Sequence, residues 1–488
     1  MPNSQVTHAD LAQMAREIMI EHGFEPEFPS SVRDQMAAIQ ARSSRGAEAD
    51  GVRDMRGLEW SSIDNDTSRD LDQIEVVERL ANGDVKVMVA IADVDVFVTK
   101  GCPMDDYAGK ETTTVYTGVR NFPMLPEELS TGASSLLEGQ DRRAMVIEFV
   151  ASSDGTVNSG TVYPALVQNK AQLTYNAVGS WLEGSGAPPA KVASSSALED
   201  QLKAQSAVAQ ALKNQRFRRG ALNIDTNEVH PVLLNNQKID IARQEKNPAT
   251  ELIEDFMVAA NGVVARLLEK VSSIRRIVRT PERWDRIVQL AALKGGHLPA
   301  QPNSKALNDF LLLRKQADPD HFADVSLAVI KLIGPGEYVL ERPGDPEQGH
   351  FGLAVEDYTH STAPNRRFAD VVTQRLLKAR IGGGAPPYSD EELAGVARSC
   401  TEREDAARKV EREMTKRLAA VMMSDRIGEV FDGLITGVTP KGTFVRVLNP
   451  HVEGLVGQGA HGLNVGDHVK VKLTRTDVQR GYIDFAKA

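Results

Sequence analysis

Apolar positions near the start of the chain repeat with the period of an α-helix, which predicts helices over residues 7–22 and 31–42. Thr7 and Asp10 have the spacing of a capping box for the first helix. The inward positions are Leu11, Met14, Ala15, Ile18 and Met19 in the first helix and Val32, Met36 and Ile39 in the second. Such a pair fits a helix-turn-helix or winged-helix module and equally a plain helical docking segment. The polar residues 43–50 predict a linker.

The middle of the chain, residues 52–380, mixes strand and helix patterns. The clearest strand lies at 85–94, where β-branched residues run almost without interruption after an Asn-Gly-Asp turn. Further strands are predicted at 161–169 and 224–234, long helices at 197–217, 249–270 and 365–380, loops at 183–196 and 382–387, and a charged helix at 389–424. The pattern predicts an α+β fold.

The last sixty or so residues change to short strands separated by turns. Strands are predicted at 431–439, 442–447, 469–475 and 482–486, and the spacing suggests a five-stranded OB-type barrel, a fold typical of single-stranded nucleic-acid binding. The chain therefore divides into an N-terminal helical module (1–50), a mixed α+β domain (51–385), a helical connector (386–424) and the barrel (425–488).

Composition excludes several classes of protein. Two cysteines cannot build a disulfide framework or a zinc cluster, which favours a reducing compartment. The sequence shows neither a signal-peptide pattern nor an 18-residue apolar run, so we expect a cytoplasmic protein without a membrane segment. The net charge of −10 argues against a protein that coats duplex DNA, and hence against a DNA-binding regulator.

An acidic stretch at 62–73 is the first candidate site. Asp70 and Asp72 are two residues apart, so an extended backbone directs both to one side. Asp64 joins them if the intervening residues turn back. Crowded carboxylates without His or Cys suit a hard cation such as Mg²⁺ or Mn²⁺. The alternative is an acidic surface loop.

A second stretch, 350–380, brings two arginines to the start of a predicted helix. Pro364 could open that helix, with Arg366 and Arg367 in its first turns. Cations there do not complement the helix dipole, so an anionic ligand such as phosphate explains them better. The alternative is internal ion pairs with Asp357 or Asp370.

Together these stretches resemble the RNB family, the ribonuclease II and ribonuclease R exoribonucleases. The resemblance spans about residues 52–380 and rests on four blocks in family order, at 62–73, 89–93, 122–126 and 350–370. Shorter matches at 431–433, 442–445 and 483–485 resemble the RNA-binding barrel that follows the RNB domain. The expected fold is thus an RNB catalytic domain of mixed sheet and helices between a short helical segment and an OB-type barrel.

The resemblance implies a Mg²⁺-dependent 3′→5′ exoribonuclease, with Mn²⁺ as an alternative ion. Such an enzyme hydrolyses single-stranded RNA, or structured RNA with a 3′ overhang, processively to nucleoside 5′-monophosphates. We expect a monomer, because a threaded channel needs no second subunit. The helical segment stands where familiar members carry two cold-shock barrels, so a more open channel entrance is expected.

The resemblance also implies roles for individual residues. It gives Asp64, Asp70 and Asp72 to the metal, with Asp72 most needed for turnover. It gives Arg366 to the scissile phosphate, with Arg367 as its basic neighbour. Tyr175 is implied beside the reacting nucleotide, while the residues implied to contact RNA are Tyr116, Glu254 and Ile224. Without the resemblance, both tyrosines could be half-buried core residues, and Glu254 could pair with an arginine.

Gln73 departs from the family motif, which has a fourth aspartate there. Its amide oxygen can ligate a metal or bond a metal-bound water, but it brings no charge. The alternative function is therefore a catalytically impaired RNA-binding homologue.

Overall fold

The computed structural model describes residues 6–42, 51–224, 229–233, 239–243, 246–319, 322–346, 348–447 and 449–488. Its helices are α1 (His8–Glu21), α2 (Ser30–Arg42), α3 (Pro103–Glu111), α4 (Tyr175–Leu182), α5 (Ala190–Ala193), α6 (Ser196–Arg219), α7 (Pro248–Leu267), α8 (Trp284–Leu293), α9 (Ser304–Ala317), α10 (Phe322–Ile333), α11 (Phe368–Gly382) and α12 (Asp390–Ser424).

The strands before the barrel are β1 (Arg53–Asp54), β2 (Ser61–Asp64), β3 (Gln73–Arg79), β4 (Val85–Ala92), β5 (Val115–Tyr116), β6 (Asn121–Phe122), β7 (Asp141–Ala151), β8 (Val157–Gln168), β9 (Ala171–Thr174), β10 (Val229–Leu233), β11 (Ile239–Arg243), β12 (Ser273–Ile277) and β13 (Glu337–Glu341). Those of the barrel are β14 (Val430–Thr439), β15 (Gly442–Val447), β16 (Val452–Gln458), β17 (His468–Asp477) and β18 (Tyr482–Lys487).

A mixed sheet in the order β1-β8-β7-β4-β3-β2-β9 forms the base of the large domain. The predicted strands at 85–94 and 161–169 are β4 and β8, and α6 packs on β3 while α7 packs on β7 and β8. Central strands covered in this way are apolar because both of their faces are buried. The segment between the end of β2 and the start of β3 carries the acidic stretch, so the sheet fixes both of its ends.

The N-terminal helices dock separately on the body of the protein. Thr7 and the Asp10 side chain make both hydrogen bonds of the predicted capping box. α1 packs on α12 and α2 on α3, and their apolar faces join different hydrophobic clusters. This arrangement is that of a docking segment rather than of a helix-turn-helix module. The predicted linker 43–50 lies outside the described residues.

The helix prediction for 365–380 is wrong at its beginning. α11 starts at Phe368, and Arg367 precedes it with extended backbone angles. The backbone N–H groups of Ala363 and Asn365 donate to the side chains of Asp370 and Asp72, at 2.8 and 2.9 Å. These bonds hold a turn where the sequence favours helix. Both arginines therefore lie before the helix.

Other predicted elements agree more closely with the structure. The helices at 197–217 and 249–270 are α6 and α7, although the predicted loop 183–196 contains the short α5. The predicted strand 224–234 is β10 over Val229–Leu233, while 225–228 and 234 lie outside the described residues. A separate apolar cluster, built around Trp284 and Phe310, holds α8, α9 and α10 together.

The C-terminal strands close into a barrel in the order β14-β15-β16-β18-β17, which confirms the predicted five-stranded barrel. The predicted charged helix is α12, and its end packs on β17 and β18. Among the described residues, every helix is too short or too polar to cross a bilayer.

Candidate active site

Asp72 lies where the two predicted site segments meet. Its Oδ1 accepts from the backbone N–H of Asn365 at 2.9 Å, and its Oδ2 accepts from Nε of Arg366 at 3.3 Å. The side chain is only 3% exposed. Burial raises the pKa of Asp72 to about 7, although the charge of Arg366 opposes the shift. Burial thus makes the charged form of this carboxylate less favourable than it is in water, and a neighbouring positive charge makes it more favourable.

Asp64 and Asp70 bound the loop that leads from β2 to Asp72. Asp64 ends β2, and its Oδ1 accepts from the backbone N–H of Asn65 at 2.7 Å and from the Ser68 hydroxyl at 2.9 Å. Burial raises the pKa of Asp64, and the charge of Asp70 adds to that rise. The charge of Asp70 also raises the pKa of Asp72. The charge of Asp70 thus acts on both Asp64 and Asp72.

The oxygen atoms of the acidic loop are of the chemical type that binds a hard cation. They include carboxylate oxygens, which Mg²⁺ and Mn²⁺ prefer, and crowded buried carboxylates gain when a cation neutralises them. The described residues hold no group of three acidic, His or Cys side chains already spaced as metal ligands. Gln73 is buried at the start of β3 and takes no part in the hydrogen bonds of Asp64, Asp70 or Asp72 described above.

Two tyrosines flank the acidic loop. The hydroxyl of Tyr116 donates to Oδ2 of Asp70 at 3.4 Å, and the residue is 40% exposed, so its ring is not a core residue. Tyr175 follows Thr174, which pairs with Asp64 across β2 and β9. Burial and then the charge of Asp64 raise the pKa of Tyr175. Tyr175 is half-buried against the core, as the simpler interpretation expected.

Arg366 and Arg367 differ in how fully they are paired. The Arg367 guanidinium donates to Asp370 at 2.8 Å, which is one of the predicted internal ion pairs, whereas Asp357 pairs with Arg275. Arg366 is 46% exposed despite its contact with Asp72. Both arginines and Tyr116 line a cavity of about 260 Å³ whose opposite side is α12. Arg366 is therefore the more exposed of the two arginines and the more accessible to a ligand.

Glu254 and Ile224 lie apart from the acidic loop and line a second cavity, of about 50 Å³. Glu254 pairs with Lys246 at 2.9 Å and with Arg216 at 3.6 Å. Burial raises the pKa of Glu254, but Lys246 and Arg216 together lower it by more, so that it lies below its ordinary value. The structure thus bears out the simpler interpretation of Glu254 as an ion-pair partner, and it groups the two residues with each other rather than with Asp72.

Comparison with known proteins finds two matching domains in this chain. Residues 52–383 match the RNB domain, and residues 429–488 match the RNase II-type exonuclease C-terminal S1 domain. The chain belongs to the RNB family. RNB nucleases in general depend on a metal.

Relatives in the RNB family include ribonuclease R of Thermotoga maritima, which is 31% identical over 96% of this chain, and ribonuclease R of Escherichia coli, which is 30% identical over 94%. The chain spans 69% and 60% of the lengths of these two proteins. The apo structure of Mycoplasma genitalium RNase R superposes with a TM-score of 0.86 at 23% identity, covering 98% of this chain and 78% of that one. This last likeness concerns the fold.

Several residues of the site escaped the sequence reasoning. Asn365 is one of them, and its backbone N–H donates to Asp72. Glu411 on α12 accepts from the backbone N–H of Tyr116 at 3.1 Å, and nothing in the sequence links the two. Glu75 is fully buried beside Asp64, and burial followed by the charge of Asp64 raises its pKa far above the ordinary value. The sequence feature that could have indicated Glu75 is a single acidic residue between apolar residues of a strand.

Proposed function

We propose that this chain is a 3′→5′ exoribonuclease that hydrolyses single-stranded RNA processively to nucleoside 5′-monophosphates, with Mg²⁺ as its ion and Mn²⁺ as an alternative. The observation that carries this proposal is the meeting of the acidic loop with Arg366 at Asp72. A metal-dependent phosphodiester hydrolase needs carboxylates to bind the cation and a positively charged donor to bind the phosphate. Here the Asp72 carboxylate and the Arg366 guanidinium are joined by a hydrogen bond.

Asp64, Asp70 and Asp72 would hold the ion, and the amide oxygen of Gln73 would add an uncharged ligand. When bound, the ion polarises the scissile phosphate and lowers the pKa of a water molecule. Asp72 is fixed for this task by the Asn365 N–H and by Arg366. Arg366 gives one nitrogen to Asp72 and keeps its others for phosphate oxygens, where negative charge develops during the reaction.

The aromatic residues would position the nucleotides. Tyr116 presents a partly exposed ring beside Asp70, and Tyr175 lies beside Asp64, so the last bases of a strand can stack near the acidic loop. Arg367 adds positive charge at the same cavity. Glu254 and Ile224 would contact the RNA in the second cavity. The aliphatic side chain of Ile224 stacks on a base less strongly than an aromatic ring would. Stacking does not depend on the identity of the base, which suits a nuclease that degrades RNA of any sequence.

The test uses a 5′-labelled single-stranded RNA and its DNA counterpart, each incubated with Mg²⁺ or with EDTA. The wild type is expected to shorten only the RNA, only with metal, to a very short 5′ fragment and nucleoside 5′-monophosphates. Asp72→Asn keeps the size of the side chain and removes its charge, so the variant should bind RNA and leave it intact. Wild-type protein that binds RNA yet never shortens it with Mg²⁺ or Mn²⁺ would instead establish the impaired homologue that Gln73 suggests.

A further inference from the structure

Three cations form an exposed row on α12, outside the candidate active site. Lys409, Arg412 and Lys416 follow one another at intervals of three and four residues, which places them on one face of the helix. All three are exposed, and within the described part of the chain none of them forms an ion pair. We call these three residues the α12 strip.

The acids that could neutralise the α12 strip are engaged elsewhere. Asp405, four residues before Lys409, lies 3.7 Å from Arg408 instead. Glu413, three residues before Lys416, lies 3.1 Å from His22 of the N-terminal segment. Like charges at these helical spacings repel by a few tenths of a kcal/mol per pair. An unpaired row of like charges therefore costs stability and gains from an anionic ligand that runs along it.

One end of the α12 strip adjoins the candidate active site. Glu404, Arg408 and Glu411 line the cavity that contains Arg366 and Tyr116. At about 100° per residue, Arg412 lies about 40° around the helix from Arg408, and Lys416 and Lys409 lie further round on the same side. A chain that leaves the cavity past Arg408 thus meets the strip first at Arg412.

The other end adjoins the barrel. A Cβ atom built on Gly481 would lie 2.8 Å from the Cβ of Lys416, so the turn between β17 and β18 packs directly on the helix there. That turn carries Arg480, and Tyr482 directly follows it with 57% of its surface exposed. In OB-type barrels the loop between the fourth and fifth strands often contacts oligonucleotides.

We infer that the α12 strip and Tyr482 bind the part of a single-stranded RNA that lies on the 5′ side of the nucleotides in the cavity. The inference rests on the proposed function, because it needs RNA in the cavity. From Lys409 to Lys416 the helix rises about 10 Å, the length of about three stacked nucleotides, so each cation can meet one phosphate. Tyr482 then offers a ring to the next base, independently of sequence. The spacing of the three cations matches the spacing of phosphates in a nucleic acid. An acidic protein would bind the cations without using the Tyr482 ring at the end of the strip.

The test combines binding and cleavage with RNAs of roughly 4 and 20 nucleotides, of which only the longer can occupy the cavity, the α12 strip and Tyr482 together. The variants are Lys409→Gln/Arg412→Gln/Lys416→Gln and a matched triple, Lys203→Gln/Lys270→Gln/Arg286→Gln, which removes the same charge from other exposed positions. Binding is measured by fluorescence anisotropy against salt concentration, in proteins that also carry Asp72→Asn. A slope of about −0.7 per phosphate contact predicts that the strip variant loses about 2 from the salt slope for the long RNA.

In proteins with Asp72 intact, the ratio of kcat/KM for the long RNA to that for the short RNA should fall at least tenfold in the strip variant and stay unchanged in the matched triple. Tyr482→Ala should weaken binding of the long RNA about fivefold or more, and Tyr482→Phe should not. Equal slopes in both triples, or equal losses for both RNA lengths, would overturn the inference. If the wild type cleaves neither RNA, the proposed function fails, while the salt slope still decides the role of the strip.

Discussion

Nε of Arg366 lies 3.3 Å from Oδ2 of Asp72, and this pair joins the acidic loop to the turn before α11. A guanidinium can serve Asp72 and a phosphate at once because it has donors on three nitrogens, whereas an ammonium group cannot reproduce that fork. We therefore expect Arg366→Lys to lower kcat about 100-fold and to change the Kd for RNA little. Single-turnover cleavage and anisotropy measure the two quantities.

Arg218→Lys is the control, since Arg218 bonds only a surface carbonyl of Asp154 in the described contacts. An equal loss of kcat in that variant would refute the specific role of Arg366.

Tyr116 combines a hydroxyl on Asp70 with a partly exposed ring. If the ring stacks on a base, Tyr116→Phe keeps RNA affinity and Tyr116→Ala weakens it about fivefold or more, from the ~1–3 kcal/mol that stacking contributes per base. Both variants are compared in an Asp72→Asn background, so that the RNA stays intact during titration. Equal affinity of the Phe and Ala variants would show that the ring does not contact RNA.

Gln73 would supply no charge to the metal site that we propose at Asp64, Asp70 and Asp72. We expect Gln73→Asp to lower the half-saturating Mg²⁺ concentration about tenfold, because an added carboxylate strengthens the attraction for a divalent ion. The same change should lower the free energy of unfolding in EDTA, since one more buried like charge is then unscreened. Gln73→Met removes the amide oxygen without adding charge and should raise the half-saturating concentration. Thermal denaturation with and without Mg²⁺ reads out both effects, and identical metal-induced shifts in the two variants would place Gln73 outside the metal site.

Glu111, at the end of α3, links the body to the N-terminal segment by accepting from the backbone N–H of Glu25 at 3.1 Å. Burial raises the pKa of Glu111 to about 7 from an ordinary value of 4.5. The folded state thus binds this proton more tightly than the unfolded state, so the associated stability is complete below about pH 4.5 and is lost as the pH rises to about 7. We expect Glu111→Gln to remove up to about 3 kcal/mol of that pH dependence.

Urea denaturation of the wild type and of Glu111→Gln at several pH values measures this difference. Glu128→Gln is a suitable control, because Glu128 is exposed. Parallel stability curves for the wild type and Glu111→Gln between pH 4.5 and 7 would contradict the prediction.

Local patterns determined much of this molecule. The helix His8–Glu21, the buried strand Val85–Ala92 and the alternating strands of the barrel follow from hydrogen bonds and periodicity between residues near each other in the chain. The acidic loop was also visible, because its carboxylates lie within a few residues. These features need no information about distant segments.

The start of α11 and the site itself depended on contacts between distant segments. The sequence around Pro364 favours helix, but the carboxylates of Asp72 and Asp370 take the backbone N–H groups that precede Phe368, and the helix begins later. The raised pKa of Asp72 likewise comes from burial, which no local pattern reports. The sequence by itself therefore determined which residue types are available and which local elements they form. Only the tertiary structure decided that Arg366 meets Asp72 and that the α12 strip runs from the cavity to Tyr482, because those relationships arise from packing between segments hundreds of residues apart or in different domains.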